Sequence, residues 1–444
     1  MRRNNRTARR HCKTEHGWKF VYVEGDARNR GFMHGQALHR ELSDLLEMFP
    51  VALQDNNNVS LEEYLDLCNR LARKQFDESC KEWREELEGM VEGALSKGVV
   101  VSVDFLFGMN MYLGVDPYFD PALNKRGFRA KTTKPRASDH CSAFIATGDA
   151  TRDGKIVMAH NTHCEYIWAP FSNVIQYVKP SRGYAFIMQT GPGLLSSNMD
   201  WFICESGIVG CETTIAGITY LPKYGIPYFC RIRECMQYGK TLDEYERIMC
   251  KDNAGDYPCG WMFGDLSTNE IMLLELGKTV AASRRTHSGV FYGANFAHDP
   301  ELREKETNND AEMHDLKYSL GARNVRLDWL LNKEYWGKLD ARTAKKIISD
   351  HYDVFHNRNR KGARSICKHT EYENHKLHTP AFYPFGAIDG KVLTADMAKK
   401  LEFWGRWGSS CGRVFNVTRK YRKKHPYVPT FKNEPWIVIQ PCKN

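Results

Sequence analysis

Asp139-His140-Cys141-Ser142-Ala143-Phe144-Ile145, continued by Ala159-His160-Asn161-Thr162-His163, is the stretch on which the reading of this chain turns. A polar, proline-bearing segment leads into it. Cys141 then stands at the first position of an apolar run, and a second apolar run ends in His-Asn-Thr-His. A nucleophile at the mouth of one strand, with polar partners at the end of the next, is a layout for cysteine chemistry. If the His140–Cys141 bond were cut, Cys141 would offer a thiol and a free α-amine on one residue. An α-amine, with a pKa near ~8, can accept a thiol proton close to neutral pH. The competing reading is a small apolar residue that opens a core strand.

Upstream of this stretch the chain reads as mostly helical. A strand is expected over Trp18–Val23, and a helix opens at Gly31-Phe32-Met33-His34-Gly35 and runs towards Phe49. Gly31 and Gly35 lie one turn apart, so that helix end can approach another backbone closely. Apolar positions at three-to-four spacing predict amphipathic helices over 60–76 and 81–96, with a more buried one over 103–114. Residues 116–139 form a polar, proline-interrupted connection, and a loop that long is functional or removable.

Downstream, strands are expected over 141–147, 155–160, 173–179, 184–190, 200–204 and 207–213. Helices follow at 227–250, strands at 261–266, 269–276 and 279–284, then helices at 310–332 and 341–352. The remainder, 353–444, is mixed and rich in aromatics. A helical prelude, a run of strands, then helices and strands again point to an α+β layered architecture.

Length and composition suit a globular protein: 444 residues, 42% hydrophobic and 26% charged. No window of ~18 uninterrupted apolar residues predicts a membrane span. The net charge of +9 comes from two short tracts. Arg2, Arg3, Arg6, Arg9, Arg10 and Lys13 form one; Arg419, Lys420, Arg422, Lys423 and Lys424 form the other. Without those eleven, 52 bases face 54 acids. Such tracts could touch nucleic acid or an anionic surface, but a solvated arm and a solvated loop are the favoured reading, and nucleic acid is not the expected partner. The basic N-terminus lacks the apolar stretch of a secretory signal, so the chain reads as non-secreted or as lacking its targeting segment.

The 14 cysteines include no C-x-x-C pair and do not read as a metal framework. His160, His163 and Cys164 invite a metal reading, but alternation along a strand puts the two histidines on opposite faces. His369, His375 and His378 read as loop surface. No cofactor and no metal are expected.

Taken together, Cys141-Ser142-Ala143-Phe144-Ile145, Asp153-Gly154-Lys155 and Ala159-His160-Asn161-Thr162-His163 resemble the start of the catalytic chain in N-terminal-nucleophile (Ntn) hydrolases. Within that group the chain is most similar to the phospholipase B-like family, and more distantly to penicillin acyltransferase-type cysteine hydrolases. Further segments agree in order: Gly191-Pro192-Gly193-Leu194-Leu195-Ser196-Ser197 with Asp200-Trp201-Phe202, Ser206-Gly207-Ile208-Val209 with Glu212-Thr213-Thr214, and Trp261-Met262-Phe263-Gly264-Asp265 with Ile271-Met272-Leu273-Leu274-Glu275. Gly386-Ala387-Ile388-Asp389-Gly390-Lys391-Val392 completes the series. The family's His-Asp-Thr is matched at His160 and Thr162, with Asn161 in place of the acid.

The resemblance implies an αββα sandwich: two stacked antiparallel sheets between helical layers. It implies self-cleavage between His140 and Cys141, giving a helical piece, 1–140, that ends in a cleavable linker (116–140), and a catalytic piece, 141–444, packed as one compact unit. The implied activity is hydrolysis or transfer of an acyl group held by an amide or ester bond, with a lipid suggested by the family name and a lysosomal or secreted setting usual. Within it Cys141 is the nucleophile and its α-amine the base. His160 orients or protonates, or is a buried structural histidine. Asn161 holds the α-amine or the substrate carbonyl. Thr213, Thr214 and Asn295 are candidate oxyanion donors, each such donor being worth ~3–4 kcal/mol. Glu212 is a structural acceptor, and Arg406 or Arg413 pairs with the thiolate. Two rival readings are an amidase or acyltransferase on small acylated amines or peptides, and an inactive relative that binds nucleic acid or an anionic surface through its basic ends.

Overall fold

The computed structural model describes residues 12–120, 123, 141–223, 225–373 and 384–441. The basic arm before Cys12, most of the expected linker including His140, and both His375 and His378 lie outside the described residues.

Two sheets face each other. The larger has nine strands, in spatial order Cys12–Glu15, Trp18–Gly25, Val174–Pro180, Phe186–Thr190, Trp201–Cys204, Ile208–Thr214, Cys259–Asp265, Glu270–Leu276 and Ala281–Thr286. All neighbours pair antiparallel except Trp18–Gly25 and Val174–Pro180, which are parallel. The second sheet has seven strands. Gly289–Gly293, Cys141–Gly148, Gly154–Glu165, Asp389–Thr394, Phe403–Trp407 and Ile437–Ile439 follow one another, and Phe385–Ala387 pairs with the end of Gly154–Glu165.

Strand alternation sorts the side chains of the second sheet into two cores. Ala143, Ile145, Ile156 and Met158 point inward and meet Trp201, Ile203, Val209, Cys211 and Met262 of the large sheet. Phe144, Ala146, Val157 and Ala159 point outward onto Leu320, Leu327, Ala344, Ile347 and Ile348 of the helices Ser319–Trp329 and Ala341–Ile348. On its far side the large sheet buries Val23, Val178, Phe186, Met188 and Phe263 against helices that include His39–Asn57, Lys81–Leu95, Val103–Val115 and Tyr228–Tyr238. The layers are helix, sheet, sheet, helix: the αββα sandwich expected from the sequence.

The helical layer is held by backbone contact as well as by apolar burial. Gly31 and Gly35 sit on Ala27–Ala37, a helix begun by Asp26, whose side chain accepts from the Asn29 amide at 2.8 Å. They press on the carbonyls of Glu86 and Met90, while Gly89 and Gly93 of the partner helix press back on the carbonyls of Arg28 and Phe32. A Cβ at any of the four would overlap backbone oxygen. Beside this contact Glu86 is buried between Arg30 (2.8 Å) and Arg233 (3.0 Å), which joins the pair to the helix Tyr228–Tyr238.

Several element boundaries differ from expectation. The helix expected from Gly31 to Phe49 is two, Ala27–Ala37 and His39–Asn57, because Leu38 leaves the helical region. The helix over 227–250 is broken at Gly239, and Thr241 caps a new one, Leu242–Cys250. Residues 310–332 split into Asp310–His314 and Ser319–Trp329, the latter extended by a wide turn. The basic tract near the C-terminus is the short helix Arg419–Lys424, with no buried side chain. No described helix is long and apolar enough to cross a membrane.

Candidate active site

Cys141 opens its strand in register with Thr162 of the neighbouring strand, and Ala143 stands opposite His160. The thiol is buried, 1% exposed. Its Sγ lies 3.8 Å from Oδ2 of Asp200, and its backbone nitrogen donates to Oδ1 of Asn295 at 3.1 Å. Sulfur and nitrogen of one residue therefore have separate acceptors.

Asn295 reaches that nitrogen because Gly289–Gly293 pairs with the Cys141 strand, Gly293 opposite Ala143. Two residues later the chain turns at Asn295 with φ +72°, a left-handed conformation that asparagine tolerates better than most residues. The Asn295 amide is fixed at both ends, with Nδ2 donating to the Thr214 carbonyl at 2.9 Å and Oδ1 accepting from Arg323 at 2.9 Å. Arg323, fully buried, also donates to the Cys141 carbonyl (2.6 Å), Ser142 Oγ (3.0 Å) and the Ala294 carbonyl (3.1 Å). One planar guanidinium thus ties the Cys141 backbone to the residue that holds its nitrogen.

Asp200 and Glu212 are a buried carboxyl pair. Burial raises both, and their mutual hydrogen bond favours the proton on Glu212, which Asp200 pushes up further. Asp200 is pushed up to about 7. Burial, then the charges of Asp200 and Glu212, push the Cys141 thiol well above its ordinary range. The thiol is consequently neutral, and Asp200 is the neighbour placed to accept its proton. The Tyr257 hydroxyl contacts Glu212 Oε2 (3.1 Å) and Thr214 Oγ1 (2.7 Å) on the far side of the pair.

His160 is fully buried, and burial, then Lys391, hold it well below the usual imidazole range. As a neutral ring it donates Nε2–H to the Glu212 carbonyl at 3.1 Å, which leaves Nδ1 as a buried lone pair with no hydrogen bond. Lys391, paired with Asp389 at 3.3 Å, donates to Thr162 Oγ1 (2.8 Å), Gln189 Oε1 (2.7 Å) and the Met199 carbonyl (2.9 Å). It pins the end of the His160 strand to the segment that carries Asp200. Donor atoms of Cys141, His160 and Asp200 lie within 4.8 Å of one another, a set that could also hold a cation. The Lys391 charge beside all three works against one.

The other expected site residues are placed differently. Asn161 and His163 point away from Cys141 into the outer layer, as alternation requires. Asn161 Nδ2 donates to the carbonyls of Ile348 (2.8 Å) and Ile366 (3.3 Å) and to Ser410 Oγ (3.2 Å), and His163 Nε2 meets the Ile366 carbonyl at 3.1 Å. The contact to the Cys141 nitrogen expected of Asn161 is made by Asn295 instead. Thr213 is buried against Gly293, where a Cβ would overlap its Oγ1. Arg406 donates to the Glu434 carbonyl (2.7 Å) and Arg413 to the Tyr372 hydroxyl, so neither pairs with the thiol. Arg323 is the guanidinium beside Cys141.

With this geometry in place, the chain can be set beside known proteins. It is similar to phospholipase B-like 2. The protein described as "Putative phospholipase B-like 2" is 30% identical over 168 residues in both Rattus norvegicus and Mus musculus, a match that covers 33% of this chain. An uncharacterized protein of Archaeoglobus fulgidus is 23% identical over 265 residues, or 56% of this chain. The chain spans only part of these relatives: 27% of the rat protein, 26% of the mouse protein and 41% of the archaeal one. No protein-family profile matches it. Among solved structures, two variants of conjugated bile acid hydrolase from Clostridium perfringens superpose with a TM-score of 0.39, at 12% and 10% identity, covering 66% and 68% of this chain and 97% of theirs.

Sequence reasoning passed over Asp200 and Arg323. Asp200 belongs to a segment noticed for its resemblance to the phospholipase B-like pattern, and a lone acid before a strand carries no further mark. Arg323 sits on an amphipathic helix, where an arginine reads as surface.

Proposed function

We propose that the chain is the precursor of a cysteine hydrolase of the Ntn class, which cuts itself before Cys141 and then cleaves an acyl group held by an amide or ester bond. The observation that carries this reading is the separate holding of the Cys141 nitrogen by Asn295 and sulfur by Asp200.

In the first stage Asp200 takes the thiol proton. Sγ bonds to the carbonyl carbon of His140, the bond from that carbon to the Cys141 nitrogen breaks, and the nitrogen takes up a proton. Water then hydrolyses the thioester, leaving a carboxylate on His140 and a thiol and α-amine on Cys141. In the second stage the α-amine, held by Asn295, accepts the thiol proton as Sγ attacks a substrate acyl carbon. The leaving amine or alcohol takes that proton back, and water releases the acid. Arg323 acts as a positioning residue by holding the Asn295 amide and the Cys141 carbonyl. The name of the phospholipase B-like relatives makes an acylated lipid the first substrate class to test, with acyl amides the second.

Because Trp18–Gly25 lies inside the large sheet, the two pieces stay associated after the cut, and the test needs denaturing conditions. Denaturing electrophoresis with mass spectrometry is expected to resolve residues 1–140 and 141–444, and Cys141→Ala is expected to remain intact. A fully active chain that is never cut, or a Cys141→Ala chain that is still cut, overturns the reading. A panel of acyl esters and acyl amides then sets the substrate class.

A further inference from the structure

Away from Cys141, at the outer edge of the second sheet, three distant segments bring together His351, Cys367, His369 and Cys411. One donor atom from each lies within 4.8 Å of the other three. Cys367 and His369 are fully buried; His351 and Cys411 are partly exposed beside a polar surface cleft that also includes Lys361, Gly412 and Arg413.

We propose that these four residues form a structural zinc site of the Cys2His2 type. The two sulfur–nitrogen distances at His369 fit a tetrahedron around one ion. With bonds of about 2.3 Å to sulfur and about 2.0–2.1 Å to nitrogen, tetrahedral angles separate S from N by roughly 3.5 Å. His369 Nε2 stands 3.3 Å from Cys367 Sγ and 3.4 Å from Cys411 Sγ. The two imidazole rings lie 5.2 Å apart between centroids and tilted by 32°, and Nε2 of His351 is buried with no hydrogen-bond partner.

The surroundings are those of a metal ligand set. His369 uses its other nitrogen, Nδ1, on Glu371 Oε1 at 3.0 Å, and the second oxygen of Glu371 accepts from the Tyr166 hydroxyl at 3.0 Å. A carboxylate behind a ligating histidine fixes its tautomer and orientation. Ser410 Oγ, whose proton goes to the Ile348 carbonyl at 2.7 Å, lies 3.3 Å from Cys367 Sγ. Two sulfurs and two imidazoles favour zinc among the common divalent ions, and four protein ligands leave no open position, which marks a structural site. A nucleophilic cysteine–histidine pair needs only one sulfur on the ring; here two converge on Nε2. A Cys367–Cys411 disulfide would leave the convergence of both histidines without a purpose.

The ion would tie together the residues that hold the back of the His160 strand. Ile348 and Ile366, whose carbonyls accept from Asn161, lie three residues before His351 and next to Cys367, and Ser410, the third partner of Asn161, precedes Cys411.

The test uses the full chain, purified without chelator, in parallel with its Cys141→Ala form, which removes the other thiol near a histidine and an acid. Elemental analysis is expected to find about one zinc per chain in both. After chelation, Co(II) alone is expected to restore one tetrahedral, thiolate-bound ion with its charge-transfer absorption. Cys367→Ser and Cys411→Ser should abolish that absorption, and Glu371→Gln should weaken metal affinity by about 10- to 100-fold. Should the serine variants fail to fold, the cobalt spectrum of the parent and of Glu371→Gln still decides. A chain without stoichiometric metal that gives no cobalt spectrum overturns the proposal. So does a Cys367–Cys411 disulfide in the purified chain.

Discussion

At the scale of single residues, the nitrogen and the sulfur of Cys141 each meet a different neighbour. Asn295 serves the nitrogen and Asp200 the sulfur. If Asp200 is the base for self-cleavage, Asp200→Asn should slow the appearance of the 141–444 fragment by roughly 10²- to 10⁴-fold, the usual worth of a positioned base. The pH dependence follows from its raised pKa. Only the carboxylate can accept the proton, so cleavage of the intact chain should accelerate as pH rises through about 7, which a fragment time course at several pH values would record. A carboxyl raised from 3.8 to about 7 also favours the folded state at low pH, and that stability is lost as pH rises through the same window. Cys141 was legible because it opens an apolar run after a polar, proline-bearing stretch of sequence. Asp200 and Arg323 were not, since they arrive from 59 and 182 residues away and the contact is made only across the fold.

Among the elements, the pair of helices Ala27–Ala37 and Lys81–Leu95 depends most directly on particular residue types. Four glycines let the two backbones touch, so an added methyl group meets carbonyl oxygen and not a movable side chain. Gly35→Ala should therefore destabilise the chain by about 2–3 kcal/mol, at the upper end of overpacking costs, measured by urea unfolding. Gly98→Ala would meet nothing within 4 Å, so any cost there comes from its positive φ alone. The Gly31/Gly35 spacing announced one side of this contact. The matching Gly89/Gly93 drew no notice, because inside a strongly amphipathic segment glycine reads only as a weak helix position. Strands were easier to place than helix breaks. A short apolar run bounded by turn residues, as at Cys141–Gly148 and Ile208–Thr214, is a local signal, whereas the break at Leu38 leaves no Gly or Pro in the sequence to mark it.

For the whole molecule, the arrangement that matters is the clamping of the second sheet from behind. The proposed zinc site fastens residues 351, 367–369 and 411, which flank the partners of Asn161 and His163. An ion bound about a thousandfold above its dissociation constant contributes ~4 kcal/mol. Removing it with a chelator should therefore lower the unfolding temperature by about 4 °C, read by calorimetry on the Cys141→Ala chain and reversed by zinc. His369, which the sequence presents as loop surface beside His375 and His378, is buried at the centre of this cluster. Its ligand spacing, 351 to 367 to 369 to 411, matches no short motif, so no local reading could have assembled it. What the sequence alone determined is what short-range patterns encode: a helical prelude, short strands bounded by turn residues, and a cysteine at the mouth of the first strand after a polar stretch. Only the tertiary structure decided which polar groups surround that cysteine, and that four ligands meet elsewhere. Sheet register and the packing of layers bring together residues far apart in the chain, and burial then sets their protonation.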